Sequence, residues 1–171
     1  SINYTQVANG IKKVIHKIEN VLKHETRESG VKIVTGEVSR VTQENVVADG
    51  KEHNYDRLII ATGAKPFIPP IPGAENALTY KDVLDLKNIP ENLNIVGSGV
   101  IACEFAGIFS WLGSNVNILC RRQFLRNLDD EIKEYVLKNL LNGVNVHENV
   151  KVNEITRENI ITSNGKMRGL P

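Results

Sequence analysis

The sequence predicts an α/β, Rossmann-like fold, and three observations carry that prediction. The run Leu93 to Val96 is short and apolar and reads as a buried strand. It meets Gly97-Ser98-Gly99-Val100-Ile101-Ala102, a G-x-G-x-x-A turn opening an apolar helix that continues to about Leu112. Gly113 breaks that helix, and a second strand, Asn115 to Cys120, follows. Strand, tight glycine turn, helix and strand form the setting in which such glycines indicate a dinucleotide site. Gly97 permits the tight turn, Gly99 removes a side chain where a pyrophosphate must approach the backbone, and Ala102 lets the helix lie close on the sheet. The helix N-terminus offers unpaired N–H groups and a partial positive charge to the phosphates.

The remaining elements follow in chain order. Ile11, Val14, Ile15, Ile18 and Leu22 recur at helical spacing, which predicts an amphipathic helix ending before Gly30. Short β-like runs come next at Val31 to Val34, Glu37 to Val41 and Asn45 to Ala48, with Asp49-Gly50 as a hairpin turn. Leu58 to Ala61 reads as a buried strand ending in small residues. Lys65 to Gly73 carries Pro66, Pro69, Pro70 and Pro72, a composition that makes a stiff, extended linker. Asp82 to Leu86 is a candidate short helix. Beyond the glycine turn, Asp129 to Leu141 reads as a helix with Ile132, Val136, Leu137, Leu140 and Leu141 on its apolar face, terminated by Asn142-Gly143. Val144 to His147 is a third strand. Val150 to Ile155 and Asn159 to Thr162 suit a small meander, with a hairpin turn at Asn164-Gly165.

Composition narrows the function classes. The chain has 171 residues, is 41% hydrophobic and carries a formal net charge of +1, so it lacks the basic excess of a nucleic-acid binder. No apolar run approaches the roughly 18 residues of a membrane span, and no signal peptide is visible. Cys103 and Cys120 match neither a C-x-x-C pair nor a metal site, and His16, His24, His53 and His147 are scattered, so no metal is expected and these histidines read as solvated surface residues. A reducing, cytoplasmic setting is the default. The start at Ser1 and the end at Met167-Arg168-Gly169-Leu170-Pro171 read as cuts, so an internal piece of a longer polypeptide is expected.

The end of the second strand bears on the choice of nicotinamide cofactor. NAD binders place Asp or Glu there, about 20 residues past the glycines, to hold the ribose 2′-OH; a 2′-phosphate needs Arg instead. Here the strand ends Cys120-Arg121-Arg122, Arg126 follows, and no carboxylate occurs until Asp129. A planar fork of donors suits a phosphate, so NADP is favoured over NAD. The alternative is three solvated surface arginines.

The chain resembles the FAD-dependent pyridine-nucleotide disulfide oxidoreductases of the dihydrolipoamide dehydrogenase, glutathione reductase and mercuric reductase type. The features that carry the likeness are the helix before Gly30, the Val34-Thr35-Gly36-Glu37 turn, the block Tyr55-Asp56-Arg57-Leu58-Ile59-Ile60-Ala61-Thr62-Gly63-Ala64-Lys65-Pro66, Ile71-Pro72-Gly73, and the strand–GSGVIACE–helix. The likeness runs from about residue 5 to about residue 160. It implies a three-layer β/β/α fold, with residues 1–66 as part of an FAD-binding domain, 67–90 as a linker and 91–171 as a truncated NAD(P)-binding domain.

The same resemblance implies site residues. Gly97, Ser98, Gly99, Val100 and Ile101 would border the nicotinamide dinucleotide, and Arg121, Arg122 and Arg126 would take its 2′-phosphate. Glu104 would lie near the nicotinamide carboxamide, although a Glu one turn into a helix also complements the helix dipole. Gly36, Glu37, Ala61, Thr62 and Gly63 would border FAD. The family's aromatic gate over the nicotinamide pocket falls on Val100. The chain has neither the family's first G-x-G-x-x-G nor its redox-active cysteine pair, and no catalytic residue is expected within it.

The function implied is hydride transfer from NADPH, or NADH, to FAD and onward to a small-molecule or protein-bound disulfide. The parent would be a homodimer formed through a C-terminal domain. The chain alone is expected to hold FAD poorly and to reduce no disulfide. The alternatives are a flavin reductase of the NADH oxidase, coenzyme A disulfide reductase or ferredoxin reductase kind, and a non-catalytic NADP(H)-binding module.

Overall fold

The computed structural model describes residues 2–168. Ser1 and residues 169–171, on which part of the reading of both chain ends rests, lie outside the described residues. The chain divides into two compact units, one of Ser1–Gly10 with Pro66–Pro171 and one of Ile11–Lys65.

The larger unit is built around a parallel sheet. Strands β4 (Asn92–Val96), β5 (Asn115–Leu119) and β6 (Asn145–His147) lie in that order, with Val96 opposite Leu119 and Leu119 opposite His147. Side chains alternate between the faces with the period of two that a strand imposes. Val116, Ile118 and Cys120 of the β5 segment enter a core with Ala106 and Phe109 of helix α2 (Val100–Trp111) and with Phe124, Leu125 and Leu141. Tyr4 and Ala8, at the start of helix α1 (Tyr4–Glu28), belong to this core, and the Tyr4 hydroxyl donates to the Val83 carbonyl at 2.8 Å.

The opposite face of the sheet is polar for most of its length. Asn115 donates to Asn92 and Asn117 to Asn94, each at 3.1 Å, and His147 Nε2 lies 3.2 Å from Asn117 Oδ1. Parallel sheets are ordinarily apolar on both sides. Here the second face is covered by a meander, β7 (Val152–Ile155), β8 (Asn159–Thr162) and β9 (Gly165–Arg168), whose Val152, Ile155 and Ile160 pack on Leu119. The side-chain amide of Asn94 reaches the Arg168 carbonyl. Meander, parallel sheet and helices give the β/β/α layering. Leu93 to Ile95 is therefore half-buried and Val96 exposed, not a fully buried run, and His147 is a half-buried, hydrogen-bonded residue, not a solvated one.

The proline-rich stretch is docked onto the larger unit. Ile71 joins the meander core, the Ile155 N–H donates to the Pro72 carbonyl at 2.8 Å, and Gly73 turns the chain at φ +80°. Single 3₁₀ turns follow at Ala74–Asn76 and Val83–Asp85, and Val83, Leu84, Leu86 and Ile89 pack on the main core. Helix α3 (Asp130–Asn139) contributes Val136, with Leu141 just beyond it; Ile132, Leu137 and Leu140, predicted on the same face, are exposed.

The smaller unit holds the rest of α1 and an antiparallel sheet of β1 (Val38–Val41), β2 (Asn45–Ala48) and β3 (Lys51–Asn54), turned at Asp49-Gly50 as expected. The sequence omitted β3, whose residues are polar. Two expected strands are absent. Val31 to Val34 is exposed irregular chain, and so is Leu58 to Ala61, where Ile59 is 88% and Ile60 70% exposed. A strand exists only where a neighbour completes its ladder, and among the described residues neither segment has one. The apolar face of α1 is likewise exposed at Ile11, Val14, Ile15, Ile18 and Leu22.

Candidate dinucleotide-binding site

β4 delivers the chain to the glycine turn. The Gly97 N–H donates to the Leu119 carbonyl at 3.1 Å, extending the β4–β5 ladder by one residue. Gly97 then sits at φ +155°, in the region that favours glycine. A β-carbon there would meet only the Ala102 methyl, at 3.7 Å, so the backbone angle and not crowding demands the glycine.

Gly99 differs. Its φ of −97° and ψ of −175° suit any residue, and nothing lies within 4 Å of the β-carbon it lacks. The fold therefore does not require glycine at position 99. What the missing side chain preserves is open space at the start of α2.

That helix start is suited to an anion. Gly99 caps α2 without a side-chain hydrogen bond, and the first bond of the helix runs from the Cys103 N–H to the Gly99 carbonyl at 3.1 Å. The N–H groups of Val100, Ile101 and Ala102 lie ahead of it, and the helix dipole adds positive potential. Ser98 is half-buried, while Val100, Ile101 and Glu104 are exposed. Burial, with a smaller contribution from the Glu104 carboxylate, raises the Cys103 thiol above its ordinary range.

The loop after β5 is tied to this turn. The Cys120 N–H donates to the His147 carbonyl at 2.8 Å, and the Cys120 carbonyl accepts from Val150 at 2.9 Å. The buried Cys120 thiol lies 3.7 Å from the Gly97 carbonyl; burial first, and the Glu148 carboxylate second, push it up to about 11. The Phe124 N–H donates to Glu148 Oε1 at 2.7 Å. The Leu125 N–H donates to the Ser98 carbonyl at 2.9 Å, joining the arginine loop directly to the glycine turn. Leu125 is buried at φ +45°, a conformation that costs a branched side chain energy and needs firm surroundings.

Arg121, Arg122 and Arg126 stand exposed on this anchored loop. Among the described residues none of the three makes an ion pair. The fold thus brings the glycine turn, an uncapped helix start and three unpaired guanidinium groups into one region. Of the anchors, Phe124, Leu125 and Glu148 escaped the sequence reading. Glu148 acts across 24 residues and so leaves no periodic signal.

In the smaller unit, the Glu37 N–H donates to Asp49 Oδ1 at 3.0 Å, and a β-carbon on Gly36 would lie 2.5 Å from Asp49 Oδ2. A side chain at position 36 would therefore displace the Asp49 carboxylate from this hydrogen bond. Ala61, Thr62 and Gly63 are exposed irregular chain, with Gly63 at φ +74°. Among the described residues no group of His, Cys, Asp and Glu could hold a metal ion, and Cys103 and Cys120 are free thiols.

Residues 2–168 match the pyridine nucleotide-disulphide oxidoreductase family. The chain belongs to that family. It is 36% identical over 146 residues to glutathione reductase of Burkholderia cepacia, covering 84% of this chain and 32% of that protein. It is 34% identical over 146 residues to dihydrolipoyl dehydrogenase of Buchnera aphidicola, covering 81% of this chain and 31% of that one. The chain thus spans about a third of the length of these curated relatives. In fold it is similar to an HOCl-induced flavoprotein disulfide reductase of Escherichia coli, with a TM-score of 0.83 and 24% identity over 99% of this chain and 42% of that one.

Proposed function

We propose that this chain is the nicotinamide-dinucleotide-binding portion, with part of the FAD-binding portion, of a flavoprotein disulfide oxidoreductase that prefers NADPH. In this reading residues 1–66 belong to the FAD domain, 67–90 join the domains, and 91–171 hold the nicotinamide nucleotide. Support comes from the family, whose relatives include glutathione reductase, dihydrolipoyl dehydrogenase and mercuric reductase. The observation that carries the cofactor choice is the hydrogen bond from Leu125 to Ser98, which joins the unpaired arginines to the glycine turn.

The residues present fit a dinucleotide phosphate. The N–H groups at the start of α2 would take the pyrophosphate in the space beside Gly99, and Arg121, Arg122 and Arg126 would take the 2′-phosphate. Glu104 would orient the carboxamide. The exposed Val100 puts no aromatic ring at the first helical position. Gly36, Glu37, Ala61, Thr62 and Gly63 are proposed to border FAD. Bound FAD supplies the two-electron chemistry between nucleotide and disulfide, while the protein binds and orients. The acceptor is a small or protein-bound disulfide. Two free thiols suit a reducing cytoplasm, and the parent is a homodimer in this reading.

Calorimetric titration of the 171-residue chain with NADPH and NADH tests the reading. NADPH binds more tightly, and the margin narrows as salt is raised. Equal affinities, or tighter NADH binding, would refute the NADPH preference.

A further inference from the structure

We infer that Glu148 is a positioning residue that fixes the arginine loop on the glycine turn and thereby sets the discrimination between the two nicotinamide nucleotides. The inference rests on the NADPH reading above. Glu148 follows β6 and borders the same loop as the three arginines, yet its carboxylate makes no ion pair with any of them among the described residues. It accepts instead from the backbone N–H of the buried Phe124 at 2.7 Å. That charge-assisted bond gives the part-buried Phe124 donor a partner on the exposed Glu148 side chain.

The neighbours of Glu148 tie the same loop. The carbonyl of His147 accepts from Cys120 at 2.8 Å, and the N–H of Asn149 donates to the Arg122 carbonyl at 3.5 Å. One residue past Phe124, Leu125 is held at φ +45° and bonded to Ser98. A branched residue leaves that conformation when its surroundings loosen. The Phe124 bond to Glu148 is the adjacent restraint. Its loss lets Leu125 relax, breaks the bond to Ser98 and separates Arg126 from the turn. The carboxylate therefore serves phosphate recognition through hydrogen bonding, even though its charge alone would oppose a phosphate.

Two variants separate these roles. Glu148→Gln keeps an acceptor oxygen and removes the charge; Glu148→Ala removes both. The first readout is amide hydrogen exchange at Phe124 and Leu125 without nucleotide. Protection falls on the order of tenfold in Glu148→Ala and is largely retained in Glu148→Gln, matching the loss of one hydrogen bond. Unchanged protection in Glu148→Ala would overturn the inference. The second readout is titration with NADPH and NADH. Glu148→Ala weakens NADPH on the order of tenfold with NADH within about twofold, and Glu148→Gln restores NADPH affinity. Equal losses for both nucleotides assign Glu148 a general structural role and overturn its place in discrimination. Tighter NADPH binding by both variants makes it a repelling charge and does the same. If the unaltered chain does not prefer NADPH, the functional reading fails, and the exchange data still decide whether Glu148 fixes the loop.

Discussion

A β-carbon on Gly73 would lie 1.7 Å from the carbonyl oxygen of Ile155. The Ile71-Pro72-Gly73 block is thereby explained as a docking strap. Ile71 enters the meander core, Pro72 accepts a hydrogen bond from Ile155, and position 73 lets the backbones meet. At φ +80° the backbone also favours glycine over residues with a side chain. Gly73→Ala is expected to cost at least about 3 kcal/mol, from strain and a backbone clash together. Denaturant unfolding measures it; a loss under about 1 kcal/mol, within the range of an ordinary surface substitution, would contradict this account.

Gly97 and Gly99 differ in what they answer to, and substitution separates them. Gly97→Ala meets no crowding but must hold φ +155°, so it should cost about 1–3 kcal/mol of stability. Gly99→Val has open space and an ordinary backbone, so its unfolding midpoint should stay close to that of the unaltered chain. Its side chain would fill the volume proposed for the pyrophosphate, and NADPH binding should be lost. Native stability with unchanged binding in Gly99→Val would move the nucleotide elsewhere.

Arg121→Glu tests the cofactor choice by charge reversal. A carboxylate beside a 2′-phosphate repels it, whereas beside a 2′-hydroxyl it accepts a hydrogen bond. NADPH affinity should fall at least about tenfold and NADH affinity should hold or rise. Parallel losses for both nucleotides would show that Arg121 does not read the phosphate.

Cys120 predicts an alkaline limit. Its thiol moves from an ordinary 9.0 up to about 11 in the fold. The folded chain therefore resists losing that proton while the unfolded chain loses it freely. The resulting stability is full below about pH 9 and disappears as pH rises to about 11. Cys103 shifts in the same direction. Denaturation followed from pH 8 to 11 should show this decline, and Cys120→Ala should flatten it; an unaltered slope in that variant would assign the decline to other groups.

The readable parts of the sequence were those whose signal is local. The turn from Leu93 to Glu104 pairs a strand period with a helix period across two glycines, and the structure follows it nearly residue for residue. The hairpin at Asp49-Gly50 was legible because turn residues carry their own geometry; the meander turn lies one residue earlier than expected, at Ser163-Asn164, with Gly165 already paired to Thr162. Hydrophobicity misled at Val31 to Val34 and Leu58 to Ala61, since an apolar run states a preference but names no neighbour for its backbone. Tyr4 and Ala8 failed the other way: they precede the helix's periodic stripe, yet they are its buried residues. Asn92, Asn94, Asn115 and Asn117 hid the polar face of the sheet, because each looks like a surface residue until the strands lie side by side.

The anchors of the arginine loop consist of main-chain amides and carbonyls, the carboxylate of Glu148, and the buried bodies of Cys120, Phe124 and Leu125. Among the described residues no arginine side chain takes part. Positions 121, 122 and 126 are consequently free to drift with little penalty to folding. If these positions read the coenzyme as proposed, a lineage could trade one nucleotide for another there through a few near-neutral exchanges, with no rebuilding of the sheet beneath.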